Sequence, residues 1–234
     1  MLEVKGINVR YNIIPVLHGV SFKVEEGQMV SIVGANAAGK STILKTISGL
    51  LRPFEGSIEF MGDRIDARAP FEITSMGISH VPEGRKIFSK LTVEENLLVG
   101  AHVRNSQDEV AQGLNEMFDL FPILKDRREQ KGETLSGGEQ QMLAIARGLI
   151  SHPRLLMLDE PSLGLSPILS RKALEICKEV RSRGTTILLV EQKVKDALQL
   201  SDWAYVLQSG KVIMEGTGQE ILSNEMIRKA YLGL

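Results

Sequence analysis

The stretch MVSIVGANAAGKST, residues 29–42, decides how this chain folds. It begins with a short apolar run, passes through a loop rich in glycine and alanine, and ends in residues that favour a helix. Residues 34–41 match the pattern G-x-x-x-x-G-K-[ST] between a strand and a helix, the context that this pattern requires. The stretch therefore predicts an α/β fold built around this unit.

The same loop is a candidate phosphate-binding site. Backbone N–H groups of such a loop, together with the helix N-terminus, bind phosphate oxygens. Lys40 adds a mobile positive charge, and the Ser41 hydroxyl is suited to Mg²⁺. The alternative is a glycine turn that merely closes a strand–helix unit. The candidate residues are Gly34, Ala35, Asn36, Ala37, Ala38, Gly39, Lys40, Ser41 and Thr42.

Two adjacent acids follow a second apolar run, LLMLDEP, residues 155–161. Asp159 emerges at the carboxyl end of this predicted strand, where open α/β sheets bind ligands. Asp159 is suited to hold Mg²⁺ directly or through water. Glu160 points elsewhere and can accept a proton from an attacking water molecule. The alternative is that both acids cap the next element.

A second glycine-rich helix start occurs at LSGGEQQ, residues 135–141. Ser136 and Glu139 have the spacing of a capping box. Gly137 and Gly138 each disfavour a helix by about 1 kcal/mol relative to alanine, which makes sense if the backbone must approach a ligand closely. A phosphate would then meet the positive end of the helix dipole. The alternative is a well-capped helix with no ligand.

The rest of the chain predicts further strands and two hairpins. We expect one hairpin over GSIEFMGDRI with its turn at Gly62 and Asp63, and another over WAYVLQSGKVIMEG with its turn at Ser209 and Gly210. Early strands are expected over LEVKGINVRY and VLHGVSFKV, and a late buried strand over TTILLVEQ. The predicted fold is α/β with a mostly parallel central sheet, antiparallel additions and a helical insert.

The domain organisation follows from a change of pattern in the middle of the chain. Residues 1–84 and 151–234 alternate between strands and helices, whereas the pattern over about 85–150 is helical. We expect one domain over 1–234 in which the helical segment forms a subdomain.

Composition excludes several classes of protein. The 234 residues include 43% hydrophobic and 24% charged residues, as in ordinary globular domains. A net charge of −1 gives no overall basic field for nucleic acid, so we expect no nucleic-acid partner. Cys177 is the single cysteine, expected to be a buried helical thiol, and no apolar run is long enough to span a bilayer.

Taken together, GANAAGKST, LSGGEQQ, LLMLDEPS and the following LGLSP resemble the nucleotide-binding subunit of an ABC transporter. The resemblance spans the whole chain. It implies a P-loop NTPase core with an N-terminal antiparallel β subdomain, and it implies ATP and Mg²⁺ as substrate and cofactor. Tyr11 would stack on adenine, and Val16 would line the same face.

The resemblance also implies why one chain has two glycine-rich helix starts. Two such subunits pack head to tail, and the second helix start of one chain contacts the γ-phosphate held by the other. Hydrolysis opens the dimer, and the motion passes to membrane-spanning permease subunits. The partner nucleotide subunit can be identical or paralogous. The residues implied to contact the partner's ATP are Leu135, Ser136, Gly137, Gly138 and Glu139.

Three positions depart from the family pattern. Ala37 stands where glycine is common, at a cost of about 1 kcal/mol if the position needs a positive φ. Glu83 replaces the usual glutamine that touches Mg²⁺ and the attacking water. Gln192 replaces the usual histidine near the γ-phosphate, so we assign Glu160 as the general base, Gln192 as a γ-phosphate sensor and Lys40 as the phosphate-binding cation.

Within the family, the chain most resembles importer subunits for branched-chain amino acids, with amide or urea importers as alternatives. The stretches that carry this narrower resemblance are VPEGRKIF, LLVEQ and MIRKAYLG. The implied location is the cytoplasmic face of the plasma or inner membrane, with a solute-binding protein as an indirect partner. Ile87 and Phe88 are candidate permease-docking residues, or else a small local core. A soluble ABC ATPase of iron–sulfur assembly and a non-enzymatic nucleotide-binding module are the remaining alternatives.

Overall fold

The structure is a computed structural model that describes residues 1–104 and 106–232. Within this part of the chain, a six-stranded sheet runs in the order β10-β9-β3-β8-β7-β6. Strands β9 and β10 pair antiparallel, whereas the other neighbouring pairs are parallel. The strands are β3 (Met29–Val33), β6 (Ile78–Val81), β7 (Leu155–Asp159), β8 (Thr186–Glu191), β9 (Trp203–Gln208) and β10 (Lys211–Gly216).

Three central strands explain why this sheet could be predicted. Every residue of β3, β7 and β8 is buried. Strands of a parallel sheet are covered on both faces, so their sequences are continuous apolar runs rather than alternating ones. Along β3, Val30 and Ile32 pack into one core, and Met29 and Val33 pack into the other. The parallel sheet therefore separates two hydrophobic cores.

An antiparallel sheet covers one face of the parallel sheet. Its order is β2-β1-β4-β5. Its core residues pack with those of α1 and one face of the parallel sheet. The strands are β1 (Leu2–Tyr11), β2 (Ile14–Val24), β4 (Glu55–Phe60) and β5 (Asp63–Arg64), and the helix is α1 (Lys40–Ile47). The predicted antiparallel N-terminal part is thus confirmed.

The turn between β4 and β5 lies one residue earlier than predicted. Asp63 is not a turn residue, because it pairs with Phe60 across the hairpin. The turn consists of Met61 and Gly62, whose φ values are 54° and 90°. Two consecutive positive φ values match the right-handed twist of a two-residue hairpin. The other hairpin turns at Ser209 and Gly210, as predicted.

Helices between β6 and β7 cover the opposite face. Two of these helices begin with a capping box, formed by Thr92 and Glu95 in one and by the predicted pair Ser136 and Glu139 in the other. The helices are α3 (Val93–Gly100), α4 (Gln107–Leu120), α5 (Pro122–Asp126) and α6 (Gly137–Leu149). The fold class is confirmed, whereas the subdomain limits at 84/85 and 150/151 remain a prediction.

Further helices flank the sheet or follow it. Cys177 lies buried in α7, as expected. The short helices α2, α9 and α10 were not predicted. The bounds are α2 (Pro70–Ser75), α7 (Pro167–Ser182), α8 (Val194–Leu200), α9 (Gly218–Ser223) and α10 (Glu225–Ile227), followed by a π-helical turn (Arg228–Leu232). Among the described residues, no helix has the length and apolar character to cross a membrane.

Candidate nucleotide-binding site

The loop between β3 and α1 has a backbone that depends on its small residues. Gly39 has a φ of 108°, which side chains rarely allow. A Cβ atom on Gly34 would lie 2.2 Å from the carbonyl oxygen of Leu207. Ala37 has a φ of 62°, so the position does require the left-handed conformation that the sequence analysis considered. The loop forms with alanine there, as expected.

This loop is also fastened to the β9–β10 hairpin. The backbone N–H of Gly210 donates to the carbonyl of Ala38 at 2.9 Å, and the N–H of His18 in β2 donates to the carbonyl of Gly210 at 2.9 Å. The Ala38 side chain is buried in the core. The carbonyl and side chain of Ala38 therefore hold the loop against its neighbours, and its predicted contact with the nucleotide stays a prediction.

Lys40 occupies a buried position that joins the loop to β7. Its Nζ donates to the carbonyl oxygens of Gly34 at 2.9 Å and Ala35 at 3.1 Å. It also forms an ion pair with Oε1 of Glu160 at 3.1 Å, and the exposed fractions of the two side chains are 4% and 9%. Separate roles were predicted for Lys40 and Glu160, but their pairing was not. A buried lysine and carboxylate need one another, since either charge alone is costly to desolvate.

Asp159 and Ser41 lie side by side at the carboxyl end of the sheet. The Ser41 hydroxyl donates to Oδ1 of Asp159 at 3.0 Å. Burial, with the neighbouring carboxylates of Glu160 and Glu83, raises the pKa of Asp159 to about 6, against the opposing hydrogen bond from Ser41. Three carboxylates near one another produce an electronegative site that a cation would relieve.

The residues present fit a magnesium ion. No group of three or more His, Cys, Asp or Glu side chains stands ready to hold a metal in the described residues. Mg²⁺ does not need such a cage, because it takes one or two protein ligands and completes its shell with water and substrate phosphates. Asp159 and the Ser41 hydroxyl suit that pattern, and Glu83 lies close enough to affect Asp159 electrostatically.

The cavity beside the loop measures ≈ 430 Å³. Ligand pockets commonly have volumes of about 300 to 1,000 Å³. Most of the predicted nucleotide residues line this cavity, whereas Leu163 is an addition that the sequence analysis did not predict. Tyr11 lies beside it, with its hydroxyl 3.4 Å from the Thr42 hydroxyl. The lining residues are Val16, Asn36, Ala37, Gly39, Lys40, Ser41, Thr42, Glu83, Glu160 and Leu163.

Glu160 has a strained backbone. Its φ is 48°, in the left-handed region that non-glycine residues rarely adopt. Its N–H donates to the carbonyl of Val190 in β8 at 2.9 Å, and its carbonyl accepts from the N–H of Leu163 at 3.0 Å. Such strain persists only where the surrounding structure holds it, and it concentrates at functional sites.

The second glycine-rich helix start does not line this cavity. Glu139 accepts from the Ser136 N–H at 2.8 Å, and the Ser136 hydroxyl accepts from the Glu139 N–H at 3.4 Å. A Cβ atom on Gly137 would lie 2.9 Å from the Arg85 guanidinium, and one on Gly138 would lie 2.7 Å from Leu169. Packing within the chain thus supplies a reason for both glycines that the sequence analysis did not consider. Leu135 is buried in the core beside them.

The remaining candidate residues have varied surroundings. Gln192 is exposed and directly follows β8, at the same edge of the sheet as Asp159. Phe88 is 49% exposed, and the Arg147 guanidinium stacks 5.1 Å above its ring. Ile87 is half-buried and packs against the core of the helical region.

This fold and site define a P-loop nucleoside triphosphatase: a parallel sheet whose first glycine loop presents a lysine and a serine beside two strand-end acids. A family model described as ABC transporter matches residues 17–163, more than half the chain. The chain belongs to the ABC transporter family, and the predicted resemblance and ATPase class are confirmed.

Individual relatives agree with this assignment. The high-affinity branched-chain amino acid transport ATP-binding protein BraG of Pseudomonas aeruginosa is 46% identical over 233 residues, with 100% of both chains covered. LivF of Archaeoglobus fulgidus, named a probable branched-chain amino acid transport ATP-binding protein, is 38% identical, with 100% of this chain and 99% of that protein covered. The ATP-binding cassette MJ0796, solved as a dimer in a post-hydrolysis state with ADP and Pi, has a TM-score of 0.82 and 26% identity, with 93% of this chain and 98% of that chain covered.

Proposed function

We propose that this chain binds and hydrolyses ATP as the nucleotide-binding subunit of a membrane importer. The observation that carries the proposal is that one cavity edge brings together Lys40, Ser41, Asp159 and Glu160. These residues supply a cation for phosphate, a hydroxyl and a carboxylate for Mg²⁺, and a base for water.

In this proposal the loop amides and Lys40 hold the phosphate oxygens of ATP. Lys40 then exchanges its contact with Glu160 for phosphate, which leaves the Glu160 carboxylate free to accept a proton from the attacking water. Ser41, Asp159 and Glu83 would hold Mg²⁺, which when bound offsets the negative charge on the β- and γ-phosphates.

Contacts with the rest of the nucleotide come from three further residues. Tyr11, which is 40% exposed beside Thr42, stacks on adenine, and Val16 lines the same face. Gln192 donates an amide hydrogen bond to the γ-phosphate from the end of β8. Because an amide does not titrate, Gln192 senses phosphate without taking up a proton.

The second helix start acts on the ATP of a neighbouring subunit. Ser136 and Gly137 begin α6, a helix of 13 residues, outside the chain's own nucleotide cavity. The dimeric form of MJ0796 supports an arrangement in which two chains share two nucleotides. The partner subunit is a second copy of this chain or a paralogue.

Permease subunits dock beside Ile87 and Phe88. A groove of ≈ 360 Å³ has Leu50, Val99 and Arg147 among its lining residues, and the Arg147 guanidinium stacks on the Phe88 ring. The exposed Phe88 ring offers an apolar anchor beside this arginine. The chain itself is peripheral on the cytoplasmic face of the membrane, and a solute-binding protein meets the permease rather than this chain.

The cargo that we propose is branched-chain amino acids. The support is the similarity to BraG and LivF, which are named as branched-chain amino acid transport ATP-binding proteins and match this chain from end to end. Amide or urea import is the alternative among importers, and a soluble role such as iron–sulfur assembly is the alternative outside transport.

The mass of the Glu160→Gln variant in solution, measured by light scattering with and without Mg-ATP, tests this function. The change removes the base and keeps the phosphate contacts, so ATP should hold two chains together and the mass should double only when Mg-ATP is present. Adding Lys40→Ala to the same variant should keep it monomeric, because the phosphates lose their cation. A Glu160→Gln chain that hydrolyses ATP at the unaltered rate would contradict the base role, and one that stays monomeric with Mg-ATP would contradict a site shared between two copies.

A further inference from the structure

A buried carboxylate lies directly behind the turn that presents Glu160. Glu191 is the last residue of β8, and its side chain is 1% exposed. It does not line the nucleotide cavity, and the proposed function gives it no role. Its Oε1 accepts a hydrogen bond from the backbone N–H of Ser162 at 3.0 Å, so it holds the backbone two residues beyond Glu160.

The other side of Ser162 is held as well. Its carbonyl accepts from the hydroxyl of Ser170 in α7 at 3.2 Å. That hydroxyl in turn accepts from Nζ of Lys193 at 2.9 Å. Both backbone groups of Ser162 are therefore bound by side chains that lie outside the nucleotide cavity.

The turn needs this support because Glu160 is strained. A left-handed φ is unfavourable in a residue with a side chain, so a loosely held turn would relax away from it. The Glu160 N–H is bonded to Val190, the neighbour of Glu191 in β8. The turn is thus attached to β8 at two successive residues, through one main-chain bond and one side-chain bond.

A buried carboxyl group is an unfavourable acceptor if the role of Glu191 is purely structural, because its charged form is costly to desolvate. Burial, together with the nearby Glu160 carboxylate, raises the pKa of Glu191, against hydrogen bonds from Ser162 and Lys193. Thr186, at the other end of the same strand, shows that a hydroxyl can do a similar task. It is fully buried, and its hydroxyl accepts the N–H of Gly27 at 2.9 Å.

We propose that Glu191 is a positioning residue for ATP hydrolysis, which fixes the turn over residues 160–163 so that Glu160 faces the attacking water. The role rests on the proposed function of Glu160 as the base. Glu191 touches neither nucleotide nor metal in this role. It acts through Ser162, and it sets the direction of Glu160 while leaving the phosphate loop as it is.

A double-mutant cycle in the full chain tests the role by ATP hydrolysis kinetics. Glu191→Ala should lower kcat about 30-fold and change KM for ATP less than about twofold, since the loop over residues 34–42 is untouched. Glu191→Gln keeps an acceptor oxygen in place and should retain kcat within about threefold. In a Glu160→Gln background, Glu191→Ala should change the residual rate less than about twofold, because the residue through which it acts is already disabled.

Thr186→Val is the matched control, because it removes an equally buried acceptor from the opposite end of β8. It should lower the melting temperature and leave kcat within about twofold. Equal losses of kcat in Thr186→Val and Glu191→Ala would overturn the proposal, as would a full 30-fold effect that persists in the Glu160→Gln background.

If Glu191→Ala does not fold, Ser170→Ala serves as a second variant. It removes the hydrogen bond to the Ser162 carbonyl and should lower kcat about threefold in the same cycle. An unaltered kcat in Ser170→Ala would then refute the role. A Glu160→Gln variant with unaltered kcat refutes the base itself, which is a separate result.

Discussion

Two glycine-rich helix starts can be compared in this chain, the loop that leads into α1 and the segment that leads into α6. At the first, a Cβ atom on Gly34 would meet main chain, 2.2 Å from the carbonyl oxygen of Leu207. At the second, a Cβ atom on Gly138 would meet the end of the Leu169 side chain at 2.7 Å. Main chain fixed in a sheet cannot retreat, whereas a leucine can change rotamer.

The two starts also differ in how their first amides are satisfied. Gly39 is the N-cap of α1 and supplies no side-chain oxygen. Ser136 caps α6 in a reciprocal box with Glu139. An anion at the start of α1 therefore meets backbone N–H groups that no side chain caps. At the start of α6, an anion can bind only those N–H groups that the capping box does not occupy. The first start thus leaves its amides open to a phosphate, whereas the second leaves fewer amides open, which agrees with the proposal that it only completes a site held mainly by another chain.

The largest expected effect is a difference in the free energy of unfolding between alanine variants of Gly34 and Gly138. Gly34→Ala should lower the free energy of unfolding by about 3 kcal/mol, because the new methyl group collides with the β9 backbone. Gly138→Ala should lower it by less than about 1 kcal/mol, since alanine favours the helix and Leu169 can move. Urea unfolding followed by circular dichroism measures both. Equal losses in the two variants would remove the distinction drawn between main-chain and side-chain crowding.

A smaller effect concerns the charge at the first site. The pKa of Asp159 is raised from 3.8 to about 6 in the folded chain, so its ionised form destabilises the fold at pH 8. Asp159→Asn should therefore raise the free energy of unfolding by about 2 kcal/mol at pH 8 without nucleotide or metal. The gain should shrink as the pH falls through 6 and disappear below 3.8, where the aspartate is protonated in both the folded and the unfolded chain. Unfolding curves at pH 8 and pH 4 check the sign, and a gain that is equal at both pH values would show that ionisation is not the cause.

The smallest effect concerns the cap of α6. Ser136→Ala should lower the free energy of unfolding by about 1 kcal/mol, because the Glu139 N–H loses its acceptor. ATP affinity of the single chain should stay the same, since Ser136 does not line its cavity. Thermal unfolding and equilibrium titration with a fluorescent ATP analogue measure the two quantities. A loss of single-chain affinity would mean that the second start contributes to the chain's own nucleotide site.

Local patterns were enough to predict the central strands and the phosphate loop. The apolar runs of β3, β7 and β8 are continuous because these strands are buried on both faces. Helix α2, by contrast, has six residues with Ile73 as its buried residue, too short for a helical period to stand out. The first hairpin turn was misplaced by one residue because both Gly62 and Asp63 favour turns.

The site was predictable in its parts but not in its connections. Lys40 and Glu160 are far apart in the sequence, so nothing local indicates that they form an ion pair. Glu191 ends a strand, a position where a carboxylate is commonly exposed, yet it is buried and accepts the backbone N–H of Ser162 from a segment 29 residues earlier in the chain. Arg85 has a φ of 67°, and its guanidinium lies against Gly137, a contact that no motif records.

The strand order of the parallel sheet has a consequence for folding during synthesis on the ribosome. Strand β3 and its loop are synthesised early, yet β3 pairs with β8 and β9, which are synthesised later. The Ala38 carbonyl likewise accepts its hydrogen bond from the N–H of Gly210, near the other end of the chain. Contacts between such distant parts of a chain form late in folding. A nascent chain that has emerged only through α7 therefore carries the whole phosphate-binding sequence without the sheet that shapes it. We therefore expect ATP binding only after residue 210 has left the exit tunnel.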